Sequence, residues 1–167
     1  MKLVGLFVDV SDLYTNIDRK YNGRKLDYKK YLTFAKGDNQ LYRAIAYGGQ
    51  IGNKSIDFIT YLRYVGYEPK YKEYDATERK DFRANWDVGI TIDIVTQLDR
   101  IDIVYLGSSS KRLIPLVDYI QSRGRICHIF ACNINHDLLI RANSYTEITE
   151  DLLAVSKEDS EEESSTS

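Results

Sequence analysis

Short apolar stretches with the pattern of strands alternate with amphipathic helical stretches along this chain. Residues 3–10 are almost continuously apolar, which is typical of a strand buried on both faces. Further strands are predicted at 41–47, 67–74, 101–106, 126–131 and 145–148. Strict alternation of strands and helices favours a parallel sheet with helices on both faces. We therefore expect an α/β fold, a three-layer α/β/α sandwich around a mainly parallel sheet.

The helices between these strands are marked by capping residues. Ser11 or Asp12 is expected to cap a short helix after the first strand, and Asp27 to cap a second one. Gly66 and Gly124 stand where two later helices should end. The later helices are predicted at 55–65, 85–98, 111–122 and 137–142, and 75–83 is predicted to be a charged connection.

The C-terminal residues differ in composition from the rest of the chain. Residues 157–167 contain five of the 25 acidic residues, one of the 23 basic residues and no apolar side chain, so we expect a disordered acidic tail. Residues 1–156 keep 22 basic and 20 acidic residues, the length of one domain. The tail is a candidate site for a basic protein partner, and a purely solubilising role is the alternative.

Several protein classes are disfavoured by composition. No apolar run reaches the roughly 20 residues of a membrane span, and the N-terminus does not resemble a signal peptide, so we expect a cytoplasmic protein that does not enter membranes. Cys127 and Cys132 are the two cysteines, too few for a disulfide framework or a zinc site.

Polar residues follow the predicted strands at the edge where parallel sheets bind ligands. Asp9 and Asp12 follow the first strand, and Gly48 and Gly49 follow the second. Residues 107–110, a glycine and three serines, follow a later strand and precede a helix. Backbone N–H groups of such a loop cradle phosphate in some proteins, while a serine-capped turn is the plainer alternative. Neither a dinucleotide-binding glycine motif nor a P-loop lysine is present.

Six segments resemble the NYN domains, which are PIN-like ribonucleases. They are FVDVSDLY (7–14), DYKKYLTFA (27–35), YRAIAYGG (42–49), YLRYVGYEPKYKE (61–73), NWDVGITIDIV (85–95) and IVYLGSSSKRLIPLVDYIQSRGRICHIFA (103–131). The resemblance covers about residues 3–152. It implies a PIN-like sandwich in which acidic residues at the strand ends hold Mg or Mn ions for attack on an RNA phosphodiester.

The resemblance also implies which acids act. Asp9 matches the aspartate of the family's D-G-x-N motif, although Val10 and Asp12 replace the glycine and the asparagine. Asp87 matches the aspartate of a helical motif. Asp93 lies six residues further on, about 240° around a helix, so the two cannot face one ion and we choose Asp87. Asp9 and Asp87 are the candidate catalytic residues, and Asp9, Asp87 and Asp12 the candidate metal ligands.

The largest departure from the family lies after residue 107. Where relatives have S-G-D-x-D-F, this chain has Ser108, Ser109, Ser110, Lys111, Arg112 and Leu113, so two acids become Ser110 and Arg112. An arginine about 5 Å from a cation would repel it by several kcal/mol at a partly buried dielectric. We therefore expect one Mg or Mn ion at most. Ser108–Ser110, Lys111 and Arg112 are instead candidate phosphate-binding residues, with solvated surface charge as the alternative.

A basic stretch with interleaved tyrosines is a second candidate nucleic-acid surface. Lys25 and Lys29 belong to it, between Arg19 and Lys30, and Tyr21 and Tyr28 lie among these charges. Tyrosines stack on bases and lysines pair with phosphates, which suits single-stranded RNA, while a solvated helix face is the alternative.

Three functions remain open from sequence. The first is an RNA-binding protein with a depleted metal site and weak or no cleavage. The second is an active Mg- or Mn-dependent endoribonuclease. The third is a protein-interaction module without nucleic-acid function. The oligomeric state is left open. We expect His128 to be a hydrogen-bonded residue of a core strand and Trp86 to anchor a helix to the sheet.

Overall fold

The computed structural model describes residues 1–51, 53, 55–74 and 85–155. The expected acidic tail at 157–167 and the charged connection at 75–83 lie outside these residues. Six strands form one sheet in the order β3-β2-β1-β4-β5-β6, and every neighbouring pair is parallel. The strands are β1 (Leu3–Asp9), β2 (Gln40–Ile51), β3 (Glu68–Tyr74), β4 (Ile103–Gly107), β5 (Ile126–Ala131) and β6 (Ser144–Glu147).

Helices cover both faces of the sheet, which confirms the predicted three-layer α/β/α sandwich. They are α1 (Val10–Lys20), α2 (Tyr28–Lys36), α3 (Ile56–Val65), α4 (Asp87–Gln97), α5 (Ile114–Ser122) and α6 (His136–Arg141). On one face, Tyr31 of α2 stacks on Phe130 of β5. On the opposite face, Asp93 of α4 accepts a hydrogen bond from Tyr47 of β2. The strand registers assign these two contacts to opposite faces.

The centre of the core is β1, where six of the seven residues are buried. Strands β2 and β4 pair with its two edges, and the helices cover both faces of the sheet, as expected for a central parallel strand. Gly107 at the end of β4 leaves room for α2, because a Cβ there would lie 2.5 Å from the Tyr31 hydroxyl and 3.2 Å from the Cα of Val8. The carboxyl ends of β1 and β4 are thereby held side by side.

Two differences from the sequence expectation bear on the site, while the other predicted ends lie within about three residues of the observed ones; the helix predicted from 111, for example, becomes α-helical at Ile114. The N-cap of α1 is Asp9, whose side chain accepts a hydrogen bond from the backbone N–H of Asp12, and neither Ser11 nor Asp12 is the cap. Strand β2 does not stop before Gly48 but continues to Ile51, because β3 pairs with it along this whole length. A neighbouring strand supplies hydrogen bonds that the local glycine signal does not predict.

The other signals agree with the structure. Asp27 caps α2 through hydrogen bonds from the N–H groups of Lys29 and Lys30, and Gly66 ends α3 with a positive φ. His128 hydrogen-bonds to Ser144 and Thr146 of β6. Trp86 packs against the core and donates to the carbonyl of Gly48. No helix in the described part of the chain combines the length and apolarity needed to cross a membrane.

Candidate nucleic-acid and metal site

An open cavity of about 440 Å³ lies where β1 and β4 end. We call it the acidic cavity. Six of the candidate residues line it, namely Asp9, Asp12, Asp87, Ser109, Ser110 and Arg112. Strand β1 supplies the first of them, α1 the second, α4 the third, and the turn after β4 the rest. Residues far apart in sequence thus converge at one rim of the sheet, where α/β proteins bind ligands.

Asp9 is the most buried acid of the cavity, with 7% of its surface exposed. It is the last residue of β1 and caps α1, since its Oδ1 accepts the N–H of Asp12 at 3.1 Å. Burial raises the pKa of Asp9 to about 7, and the charges of Asp12 and Asp87 also raise it, while the hydrogen bond from Asp12 opposes the shift. A cation or a proton is therefore favoured beside this carboxyl group.

Asp12 holds α1 against the turn after β4. Its Oδ2 accepts the backbone N–H of Ser109 at 2.9 Å, and its Oδ1 accepts the Ser109 hydroxyl at 2.8 Å. Asn16, one turn further along α1, donates to the Ser109 hydroxyl oxygen at 3.2 Å. Burial raises the pKa of Asp12, and the hydrogen bonds from Ser109 lower it. Both oxygens already have protein partners, so Asp12 has a positioning role whether or not it also binds an ion.

Asp87 opens α4 and faces the acidic cavity, whereas Asp93 does not. All three acids line the acidic cavity, and the charge of Asp87 contributes to the raised pKa of both Asp9 and Asp12. Asp93 instead accepts hydrogen bonds from Tyr47 and Lys70, each at 2.7 Å. The two acids thus face different surroundings, in agreement with their six-residue spacing on a helix.

Three backbone N–H groups of the serine turn after β4 already have hydrogen-bond acceptors within the protein. The Ser108 hydroxyl oxygen accepts the N–H of Ser110 at 3.2 Å, and the Ser110 hydroxyl oxygen accepts the N–H of Arg112 at 3.3 Å. With the N–H of Ser109 bonded to Asp12, three backbone donors of the turn are already used. The turn is therefore the serine-capped type, and its side chains at the cavity, above all that of Arg112, are the groups that could contact a ligand there.

The structure does not bring all candidate residues into the acidic cavity. Ser108 is buried beneath the turn, and Lys111 is exposed beside it without lining the cavity. Lys25 lies on the other side of α1, with its ammonium group 4.1 Å from the centre of the Tyr14 ring. Lys29 is an exposed residue of the first turn of α2. Their assignment to phosphate or RNA stays a prediction.

Five further residues line the cavity, namely Ser11, Thr15, Asn16, Arg19 and Asn85, and of these the sequence placed only Arg19 on a candidate nucleic-acid surface. Asn16 and Arg19 lie four and seven residues after Asp12, on the same face of α1. That spacing is the signal that identifies them once Asp12 is placed at the cavity. Arg19 and Arg112 are both exposed and neither forms a salt bridge with any residue that the structure describes. Two cationic groups are thus available at the rim of an acidic cavity.

Asp9 and Asp87 are the carboxylates of the cavity that could hold a hard cation. Within the described residues, no three His, Cys, Asp or Glu side chains are grouped to hold a metal ion. Asp9 uses its Oδ1 to cap α1, whereas both oxygens of Asp12 are bonded to Ser109. Mg often takes one or two protein carboxylates and completes its shell with water and phosphate oxygens. Asp9 and Asp87 would hold such an ion.

Comparison with known proteins identifies the family. The sequence-family model of the NYN domain matches residues 3–150. The chain belongs to the NYN domain family. This membership agrees with the nuclease-like, PIN-like sandwich seen in the fold. The chain is also similar to a crystal structure of a protein of unknown function from Vibrio parahaemolyticus, with 28% identity, a TM-score of 0.82, and coverage of 92% of this chain and 96% of that one. None of the curated proteins searched matches the chain.

Replacement of Asp9 by Asn should stabilise this NYN domain at pH 8 in the presence of a chelator. Asn keeps the cap of α1 but removes the buried charge. Because the folded pKa is about 7 and the unfolded pKa about 3.9, the folded wild type binds more protons between these values and loses stability as the pH rises through that window. We expect Asp9→Asn to raise the free energy of unfolding at pH 8 by about 2–4 kcal/mol and the gain to shrink towards pH 4.

Urea denaturation across this pH range measures the effect. Asp18→Asn on the same helix, outside the cavity, is the matched control and should leave the pH dependence of the wild type unchanged. An Asp9→Asn variant that is no more stable than wild type at pH 8 would contradict the assigned burial and charge of Asp9.

Replacement of Asp12 by Ala should lower the free energy of unfolding by about 1–3 kcal/mol, because the buried N–H of Ser109 loses its acceptor. Thermal or urea denaturation measures the loss, with Asp18→Ala as the control. A double-mutant cycle with Ser109→Ala should show coupling between the two positions. Because Ser109→Ala keeps the backbone N–H, additive effects would mean that the hydroxyl bond between Ser109 and Asp12 does not stabilise the fold.

Proposed function

We propose that this NYN domain binds single-stranded RNA at the acidic cavity, with a depleted site for one Mg or Mn ion and weak or no cleavage. The observation that carries the proposal is Arg112, an exposed cation that lines the same cavity as Asp9 and Asp87 and forms no salt bridge with any described residue. An arginine fork matches two phosphate oxygens, and such charge-assisted hydrogen bonds are among the stronger ones in proteins.

The charge balance of the cavity supports binding over hydrolysis. Three carboxyl groups alone would repel the RNA backbone, but Arg19 and Arg112 offset them at the rim. The same Arg112 charge disfavours a second metal ion close to Asp9 and Asp87. A two-ion displacement of the kind many nucleases use is therefore disfavoured in this chain.

One bound ion would still have chemistry to supply: Mg or Mn held at the site would neutralise phosphate charge and lower the pKa of a bound water. Asp9 and Asp87 would position that ion, and Arg112 would hold the phosphate against it. Asp12 keeps these groups in register through Ser109. The convergence of Asp9 and Asp87 in one cavity is the observation that favours the alternative, an active Mg- or Mn-dependent endoribonuclease.

The preference for a single strand is supported by the surface beside the cavity. Tyr14 on α1 is 53% exposed, and Lys25 lies against its ring. Exposed aromatic rings next to cations suit unpaired bases, since a duplex keeps its bases stacked inside.

Replacement of Arg112 by Glu should weaken binding of labelled single-stranded RNA about tenfold or more, because one charge-assisted phosphate contact contributes roughly 1.5–3 kcal/mol. Fluorescence anisotropy in chelator, at fixed low salt, measures this. Lys2→Glu is the matched control: it makes the same charge change at an exposed residue before the start of β1, at the opposite edge of the sheet from the cavity, and should have a much smaller effect. Equal losses in both variants would mean that Arg112 acts through general electrostatic attraction and makes no specific contact with a phosphate.

Incubation of single-stranded and structured RNA with Mn or with chelator decides between binding and cleavage. The proposal expects binding that survives chelator and little or no product. Rapid cleavage that needs Mn and is lost in Asp9→Asn would instead support the active ribonuclease. If the domain neither binds nor cleaves RNA, the proposal fails and a protein-interaction module, with the acidic tail as a candidate contact, becomes the better account.

A further inference from the structure

A second and larger cavity lies on the other side of α1. Its volume is about 740 Å³, within the range of small-molecule binding sites. We call it the aromatic groove. The side chains that matter for its chemistry are those of Tyr14, Arg24, Lys25, Tyr28, Phe58 and Tyr71. Four aromatic rings and two cations thus surround a space larger than the acidic cavity.

Helix α1 is the partition between the two cavities. Tyr14 lines the aromatic groove, while Asp12 and Asn16 line the acidic cavity. Ser11 and Thr15 line both, and because they are four residues apart they form one ridge along the helix. The two cavities are therefore adjacent across a ridge of small hydroxyl side chains, and a single extended ligand can reach into both.

The aromatic groove has a fixed floor and an exposed wall. Tyr28 and Phe58 pack edge to face with ring centres 5.3 Å apart, and Tyr28 is buried. Tyr71 lies flat over Gly48, where a Cβ would overlap the Tyr71 ring. Tyr14 is the half-exposed wall, with Lys25 against it. Such a slot accepts a flat ring, which can stack on Tyr14 without moving the floor.

Two polar atoms beneath the surface of the groove lack partners among the described residues. They are the Tyr71 hydroxyl and the Arg24 Nε, whose residues both line the groove. The other two Arg24 nitrogens contact the carbonyl of Ala154 and the carboxylate of Glu150, and a small side-chain movement is needed to bring either unpaired atom to a ligand. Unpaired buried polar atoms are rare and cost about 1–3 kcal/mol each. An entirely apolar ligand would leave both unpaired, whereas the edge of a nucleobase brings donors and acceptors.

We propose that the aromatic groove binds one nucleobase of the RNA strand whose phosphate lies in the acidic cavity. The inference rests on the proposed function and adds a base-binding subsite to it. The base stacks against Tyr14, and its polar edge pairs with Tyr71 and Arg24. The backbone crosses the ridge of Ser11 and Thr15, and Arg112 holds the phosphate beyond it.

The first test replaces Tyr14 by Ala. The probes are labelled RNA hexamers of each single base and a hexamer of abasic ribose phosphates. Because stacking on one aromatic side chain contributes about 1–3 kcal/mol per base, affinity for at least one base-containing hexamer should fall about five- to a hundredfold, with no change for the abasic one. Tyr145→Ala is the matched control, since Tyr145 is 50% exposed and lies on β6 at the far edge of the sheet.

The second test replaces Tyr71 by Phe. Removal of a buried hydroxyl without a partner should raise the Tm of the free protein, and loss of its bond to the base should lower hexamer affinity several-fold. These opposite signs distinguish a binding group from a structural one. Tyr145→Phe is the control and should change neither quantity.

The outcomes separate this inference from the proposed function. If the hexamers bind and Arg112→Glu weakens them, but Tyr14→Ala behaves like Tyr145→Ala, the base subsite is overturned and RNA binding stands. If no hexamer binds the wild type, the proposed function fails, and NMR titration with free nucleosides still tests the groove. Shifts confined to groove residues would support a base site, and their absence would overturn it.

Discussion

The hydrogen bonds between Asp12 and Ser109 are the contact on which the arrangement of the site depends. They join the first turn of α1 to the turn after β4, two segments almost a hundred residues apart in sequence. Asp9 immediately precedes α1 and Arg112 closely follows Ser109, so this contact sets where both groups stand. The sequence predicts Asp12 to be a metal ligand. In the structure its carboxylate holds the two sides of the site together.

The acidic cavity combines two opposing electrostatic features. Burial and like charges raise the pKa of Asp9 and favour a cation beside it. Arg112 supplies positive charge to the same cavity. Unlike a bound metal ion, this charge belongs to the chain and cannot dissociate. On the proposed function, this combination favours a phosphate that bridges the two features over a pair of metal ions. The replacement of the family's acids by Ser110 and Arg112 would then shift the balance from hydrolysis to binding while the fold is kept.

Helix α1 gives the proposed strand its path. One face of the helix presents Asp12, Asn16 and Arg19 to the acidic cavity, and another presents Tyr14 to the aromatic groove. Backbone recognition and base recognition would then be divided between two faces of a single eleven-residue helix. Because Asp9 caps this helix, the buried acid and the stacking surface are positioned by the same element.

The sequence by itself determined the class of fold, the family and most of the acidic cavity. Apolar periodicity is a local property, and it predicted strands such as β5 with their observed bounds. The rule that parallel strands end at one edge placed Asp9 beside the turn that follows β4, and the resemblance to the NYN domains added Asp87 and the departure at Arg112. Only the tertiary structure decided that Asp9 caps α1, that Asp12 is bonded to Ser109 and that Tyr71 lies over Gly48. The bonds of Asp12 to Ser109 and the contact of Tyr71 with Gly48 join separate elements, and spacing along one chain carries no direct record of such contacts. The cap of Asp9 is local, but it depends on where the pairing of β1 stops and α1 begins.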